Sequence, residues 1–201
     1  MIKSNVVMII IDALRADHLG CYGYTKKTSP NIDKLVNEGV LFENAFSCAN
    51  ATDPSVTTIL SGKYPISHGI RNHGSKVTNS MIQEFYKRKI RFLSEILRDN
   101  GYITFGIDWL GRWHKKGFEY YFGDTIQKKH STLSVVFSKI ISRFPKTFSG
   151  KVTELIKKIR NKNILPSTYA ATELTDTALK LISNCDKPFF LFIHYWDTHT
   201  L

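Results

Sequence analysis

The chain has 201 residues, 42% of them hydrophobic, enough to bury one compact core and too many for a disordered segment. A formal charge of +11 and an isoelectric point near 9.6 favour anionic partners (an ester of sulfate or phosphate, an acidic polymer, anionic lipid or nucleic acid) without choosing among them. Three widely spaced cysteines, Cys21, Cys48 and Cys185, fit neither a disulfide framework nor a zinc cluster.

In chain order, Val6–Ile11 is an apolar run without alternation, as expected of a strand buried on both faces of a parallel sheet. At six residues it is too short for a signal-peptide core or a membrane span, so the expected location is cytoplasmic, with peripheral membrane attachment left open. The run ends at Asp12, which places a carboxylate at the carboxyl end of a strand, where open α/β folds hold their ligands. Ser29-Pro30 opens a helix with Ile32, Leu35 and Val36 as its stripe and Gly39 as its stop, and residues 40–46 read as a short strand. Asp53-Pro54 and the spacing of Val56, Ile59 and Leu60 predict a second helix, stopped at Gly62. Residues 85–99 read as a third helix, closed by Asn100-Gly101, and 102–107 as the strand that follows.

Between residues 128 and 162 many lysines and arginines are interspersed with Val135, Val136, Phe137, Ile140, Ile141 and Phe144. This basic amphipathic insert reads either as a solvated helical excursion or as a surface that docks on an anionic membrane or an acidic polymer. Residues 167–183 then predict a helix with Ala171, Leu174, Ala178, Leu181 and Ile182 on one face, and 189–193 a last strand that runs into His194, Asp197 and His199. Strands alternating with helices predict an α/β fold, a parallel-rich sheet flanked by helices, over one domain spanning 1–201.

Four segments carry the chemistry. Asp12 is followed by Leu14-Arg15-Ala16-Asp17-His18-Leu19-Gly20-Cys21-Tyr22-Gly23. Thr52-Asp53-Pro54-Ser55-Val56 precedes an apolar helix and Ser61-Gly62-Lys63-Tyr64-Pro65. Gly111-Arg112-Trp113-His114 is followed by Gly117-Phe118-Glu119-Tyr120-Tyr121-Phe122-Gly123, and His194-Tyr195-Trp196-Asp197-Thr198-His199 comes last. Taken alone, Asp12 is either a hard-cation ligand or a helix cap, and Thr52 a nucleophile or a cap. His114 alone is as readily a structural histidine, and His68 and His73 read as loop residues.

Together these segments resemble the signatures of the sulfatase family of the alkaline phosphatase superfamily. The resemblance implies an alkaline phosphatase-like fold in which Asp12 and Thr52 bind a divalent cation, whether Ca, Mg, Mn or Zn. It makes Thr52 the nucleophile, Arg112 and His114 catalytic groups beside it, and Arg112, His114 and His199 the ligands of an anionic ester. Three departures stand out. Ala13 replaces a second Asp ligand, Val56 stands in the arginine column of the nucleophile motif, and Thr52 stands where sulfatases carry the Cys or Ser that becomes formylglycine. A threonine hydroxyl activated by a cation is what phosphodiesterases and phosphoryl transferases of the superfamily use, so the expected activity is metal-dependent hydrolysis of sulfate or phosphate esters, with phosphoester chemistry favoured.

The later D-H-G metal motif of such enzymes does not occur in the sequence, which predicts a C-terminally truncated fragment, weakly active or inactive alone. The alternative is a non-catalytic remnant that binds an anionic partner. Nucleic-acid binding rests on charge alone and is not expected.

Overall fold

The computed structural model describes residues 3–123 and 170–199, so the basic insert at 128–162 lies outside the described residues. Four strands, β1 (Val6–Ile11), β2 (Ile103–Ile107), β3 (Tyr120–Tyr121) and β4 (Phe189–Tyr195), form one parallel sheet in the order β1-β4-β2-β3. The helices are α1 (Pro30–Val36), α2 (Thr52–Ser61), α3 (Pro65–His68), α4 (Asn79–Lys87), α5 (Leu93–Asp99) and α6 (Ala171–Ile182), joined in places by single 3-10 turns. The α/β architecture expected from the alternation of apolar runs is the one observed.

Central strand β4 has no polar face until its end, because both sides of it are covered. Phe189, Leu191 and Ile193 point toward α6 and pack with Phe105, Ile107, Leu174, Ala178 and Leu181. Phe190 and Phe192 point the other way, into a layer built from Val56 and Leu60 of α2, Phe85 of α4, Phe92 and Trp113. Successive strand residues face opposite sides, so His194 shares the α2 face with Phe190 and Phe192. The same parity carries Met8 and Ile10 of β1 on to Asp12, and Gly106 of β2 on to Asp108. Three strands thus end with a polar side chain on the same rim, beneath the amino terminus of α2.

The structure corrects several expectations. Val6–Ile11, expected to be buried on both faces, is the edge strand β1: one face packs on the α2 layer, and Val7 and Ile9 on the other are 50% and 57% exposed. Residues 40–46 form no strand: Val40, Phe42 and Phe46 are 80%, 71% and 87% exposed, and apolar identity without a pairing partner did not make this segment part of the sheet. The single helix expected over 85–99 is two helices. Lys89 adopts a left-handed backbone (φ 52°) between α4 and α5, which ends one helix and turns the chain before the next starts. In addition, His68 is not a loop residue. It closes α3 fully buried, with Nδ1 accepting the Ile70 N–H at 3.1 Å and Nε2 3.1 Å from the Thr58 hydroxyl.

Burial separates the apolar residues that hold the fold from those that do not. Phe192→Ala should lower unfolding free energy by about 3–5 kcal/mol, whereas Phe46→Ser should change it by less than about 0.5 kcal/mol. Urea denaturation followed by circular dichroism checks both; equal losses at the two positions would contradict the assigned core.

Candidate active site

Helix α2 begins at Thr52, and the residue before it, Ala51, has extended backbone and no capping side chain. Thr52 therefore does not cap its own helix. Its hydroxyl donates instead across the rim to Asp12, at 3.3 Å from Oδ2 and 3.5 Å from Oδ1. Asp12 is fixed from behind: its N–H donates to Tyr195 O at 2.9 Å, continuing the β1–β4 ladder, and its carbonyl accepts the Thr198 hydroxyl. The acid and the hydroxyl, forty residues apart in sequence, thus converge on one point at the carboxyl edge of the sheet.

A second cluster surrounds Asp53, which is completely buried in the first turn of α2. Arg112 Nη2 donates to both of its oxygens at 2.7 Å, the Gly74 N–H donates to Oδ2 at 2.7 Å, and His73 Nδ1 lies 3.0 Å from Oδ2. Arg112 reaches there from a strained turn: Gly111 and Arg112 both have positive φ, 62° and 48°. The guanidinium also donates to Gly74 O at 3.1 Å and lies 4.4 Å over the Trp113 ring. A carboxylate this deeply buried needs such partners, and Arg112 is the nearest full cation.

His114 is buried next to this pair. The Thr57 hydroxyl donates to Asp53 O at 2.6 Å and accepts the Trp113 Nε1–H at 2.8 Å, so its remaining lone pair is open to His114 Nε2, 3.1 Å away. This assigns the ring proton to Nε2 and leaves Nδ1 bare, without a hydrogen-bond partner and 3.9 Å from Asp53 Oδ1. Burial drives its pKa down to about 4, against the opposing pull of Asp108 and Asp53, so the ring is neutral near pH 7. In that state Nδ1 offers an acceptor, and it must gain a proton before it can donate to an oxyanion.

The third cluster lies behind Asp12. His194 Nδ1 is 2.8 Å from Asp108 Oδ1, and Asp108 also accepts the Leu110 N–H at 3.2 Å and the Tyr121 hydroxyl. Burial alone would raise the Asp108 pKa, but the hydrogen bond from His194, the neighbouring histidines and Tyr121 together hold it below the ordinary carboxylate value. His194 Nε2 faces Asp12 Oδ2 at 3.9 Å. His199, in the turn after β4, rests its ring on Trp196 with centroids 4.4 Å apart, and Trp196 meets Trp109 at 3.7 Å. Among the described residues no three His, Cys, Asp or Glu side chains form a group that could hold a metal ion. The donors that do converge, Asp12 and the Thr52 hydroxyl, are oxygen ligands of the kind a hard divalent cation takes.

The sulfatase family model matches residues 4–201. The chain belongs to the sulfatase family. An N-acetylgalactosamine-6-O-sulfatase of Bacteroides thetaiotaomicron is 34% identical to it over 112 residues, 56% of this chain and 20% of the relative. An N-acetylglucosamine-6-O-sulfatase of the same organism is 26% identical over 203 aligned positions, 98% of this chain and 31% of the relative. Among solved structures, Ps i-CgsB in complex with k-i-k-neocarrahexaose aligns with a TM-score of 0.60 at 21% identity, covering 99% of this chain and 46% of that one. The phosphonate monoester hydrolase of Agrobacterium radiobacter aligns at 0.58 and 17%, covering 98% and 41%. These structures share the sulfatase fold with the chain, which itself spans only a fifth to about a third of the two curated relatives.

Of the residues the sulfatase resemblance points to, Asp12 and Thr52 meet directly, while Arg112 and His114 gather one residue along α2, around Asp53. His199 stays on the turn above and reaches the rim indirectly, through its neighbour Thr198 and through Trp196 and Trp109. Val56, in the arginine column, is buried in the α2 layer, so that column faces the core here. Asp53, His73, Asp108 and Tyr121 form much of the polar network without having been assigned a role from sequence. Asp108 carried a signal that could have found it, since it follows an apolar strand directly, as Asp12 does.

Neutral His114 makes stability depend on pH. Its folded pKa, about 4, lies below the ordinary 6.5, so between these values the unfolded chain binds a proton that the folded one refuses. Stability from this residue is complete above pH 6.5 and is lost as pH falls toward 4, by an amount on the order of 3 kcal/mol. His114→Gln should flatten that part of the stability–pH curve measured by urea denaturation; an unchanged slope would contradict the neutral, buried ring.

Proposed function

We propose that the chain carries the nucleophile-bearing part of a metal-dependent ester hydrolase, with phosphate esters favoured over sulfate esters. The observation that carries this reading is the Thr52 hydroxyl pointing at the Asp12 carboxylate from the amino terminus of α2. A divalent cation held by Asp12 and Thr52 would lower the pKa of that hydroxyl and neutralise part of the ester's charge. Its identity among Ca, Mg, Mn and Zn is open on oxygen ligands alone.

Thr52 would then attack phosphorus: its hydroxyl proton leaves to water, a bond from Oγ1 to phosphorus forms as the bond to the departing oxygen breaks, that alkoxide takes a proton from water to leave as the alcohol, and a second water later hydrolyses the threonine ester. In the first turn of α2, Pro54 has no N–H and those of Asp53 and Ser55 donate to His73 Nδ1 and Ala51 O, so the Thr52 N–H is the backbone donor left for a non-bridging oxygen of an ester placed there. Arg112 brings positive charge to the same end of α2, shared with Asp53. His114, whose bare Nδ1 faces Asp53, would take up a proton there as negative charge builds at this end of α2. His199 stands at the outer wall, within the loop tied to Asp12 through Thr198. Threonine at the nucleophile position supports phosphoester chemistry, because a secondary hydroxyl has no route to the formylglycine aldehyde.

A second reading is a binding remnant of such an enzyme, favoured by the commitment of Arg112 to Asp53 and by the small number of converging metal donors among the described residues. Turnover separates the two. With Mn or Ca present, the chain should hydrolyse p-nitrophenyl phosphate or its diester slowly and p-nitrophenyl sulfate still more slowly, and Thr52→Ala should lower the rate at least about a thousandfold. Equal turnover by Thr52→Ala, or a preference for the sulfate ester, would reject the proposal.

A further inference from the structure

Asp108, at the end of β2, accepts hydrogen bonds from three directions: the Leu110 N–H, the Tyr121 hydroxyl and the ring of His194. An ionised carboxylate takes only donors, so His194 carries a proton on Nδ1. Its other nitrogen, Nε2, is buried and has no hydrogen-bond partner. What Nε2 faces is Asp12 Oδ2, 3.9 Å away, too far for a hydrogen bond. In the neutral ring this sets two acceptors against each other, with lone pairs converging.

Aromatic rings line the His194 side of that gap. The Trp109 ring packs against His194 at 5.9 Å between centroids and Phe192 at 6.4 Å, while Trp196 closes on Trp109. Leaving a buried imidazole nitrogen unpaired is destabilising, and opposed lone pairs add to it. A positive centre between the two atoms removes both penalties. The 3.9 Å separation is within the reach of one cation touching each at about 2.1 Å.

We infer that His194 is a nitrogen ligand of the cation held by Asp12 and Thr52, with Asp108 fixing its tautomer from behind. This rests on the reading that a cation belongs at Asp12 and Thr52, and it deepens that reading by naming the metal class. Metal-binding imidazoles characteristically donate their second N–H to a carboxylate, the arrangement Asp108 and His194 show. A mixed nitrogen and oxygen set selects a borderline cation such as zinc over calcium, which takes oxygen ligands. Of the donors, two are side chains of the usual ligating types and the third is a hydroxyl; water or substrate oxygens complete the shell.

Zinc and calcium, each alone, are titrated by calorimetry into the chain and into His194→Gln and Asp12→Asn. Zinc should bind more tightly than calcium, and His194→Gln should weaken zinc by at least about 10–100-fold while leaving calcium within about threefold. Because a buried histidine is replaced, the unaltered chain provides an independent readout: in long-range proton–nitrogen spectra of its histidine rings, zinc should shift His194 Nε2 while Nδ1 stays protonated. If Asp12→Asn abolishes zinc binding but His194→Gln does not, His194 is no ligand and the cation reading survives. If no divalent affinity depends on Asp12, both fall. A metal-free spectrum with both His194 nitrogens protonated would also overturn the inference, since the ring would then be an imidazolium between two carboxylates.

Discussion

Parallel pairing of β4 between β1 and β2 is the constraint on which the site depends. It aligns three carboxyl ends on one rim, and the alternation of side chains along a strand then decides which polar residues share a face. Ile10 pairs with His194 and Ile11 with Tyr195, so Asp12 leaves the sheet just beyond the histidine. Gly106 pairs with Phe192, which puts Asp108 beside the same histidine from the other flank. A slip of one residue in either pairing would turn one of these polar groups into the opposite apolar layer. The packing of β4 against α2 on one side and α6 on the other penalises such a slip heavily.

The polar groups divide into two networks with different electrostatics. Around Asp53 the charges are balanced: one buried carboxylate faces one arginine, a backbone N–H and His73. Around Asp12 they are not, because Asp12 and Asp108 bring two carboxylates and no arginine or lysine reaches either among the bonds described. The deficit of positive charge is concentrated where Thr52 and His194 point. Backbone strain has a related distribution. Of the three non-glycine residues with positive φ among those described, Ala13 follows Asp12 and Arg112 serves Asp53, while only Lys89 is remote, at the α4–α5 turn.

Much of the fold was legible because burial on both faces leaves an unmistakable pattern. The Phe189–Ile193 run is the central strand its pattern predicts, whereas Val6–Ile11, read the same way, lies at the sheet edge, and α2 announced itself through Pro54 at its start and Gly62, left-handed at φ 63°, at its end. Residues 40–46 misled because apolar identity records only the capacity to be buried. The break at Lys89 was invisible because nothing in a lysine signals a left-handed backbone. At the site, Asp12 and Thr52 were readable from family signatures. The roles of Asp53 and Asp108 were not, since each is defined by partners about twenty to ninety residues away whose positions only the folded chain sets.

In the proposed function, a carboxylate and a hydroxyl at the sheet rim would share a cation that faces an anionic ester. Crystals of the chain grown with manganese and examined at the manganese absorption edge test it most directly. An anomalous peak within bonding distance of both the Asp12 carboxylate and the Thr52 hydroxyl is the predicted result. A well-ordered rim with no peak, or a peak bound elsewhere while Thr52 remains hydrogen-bonded to Asp12, would contradict it.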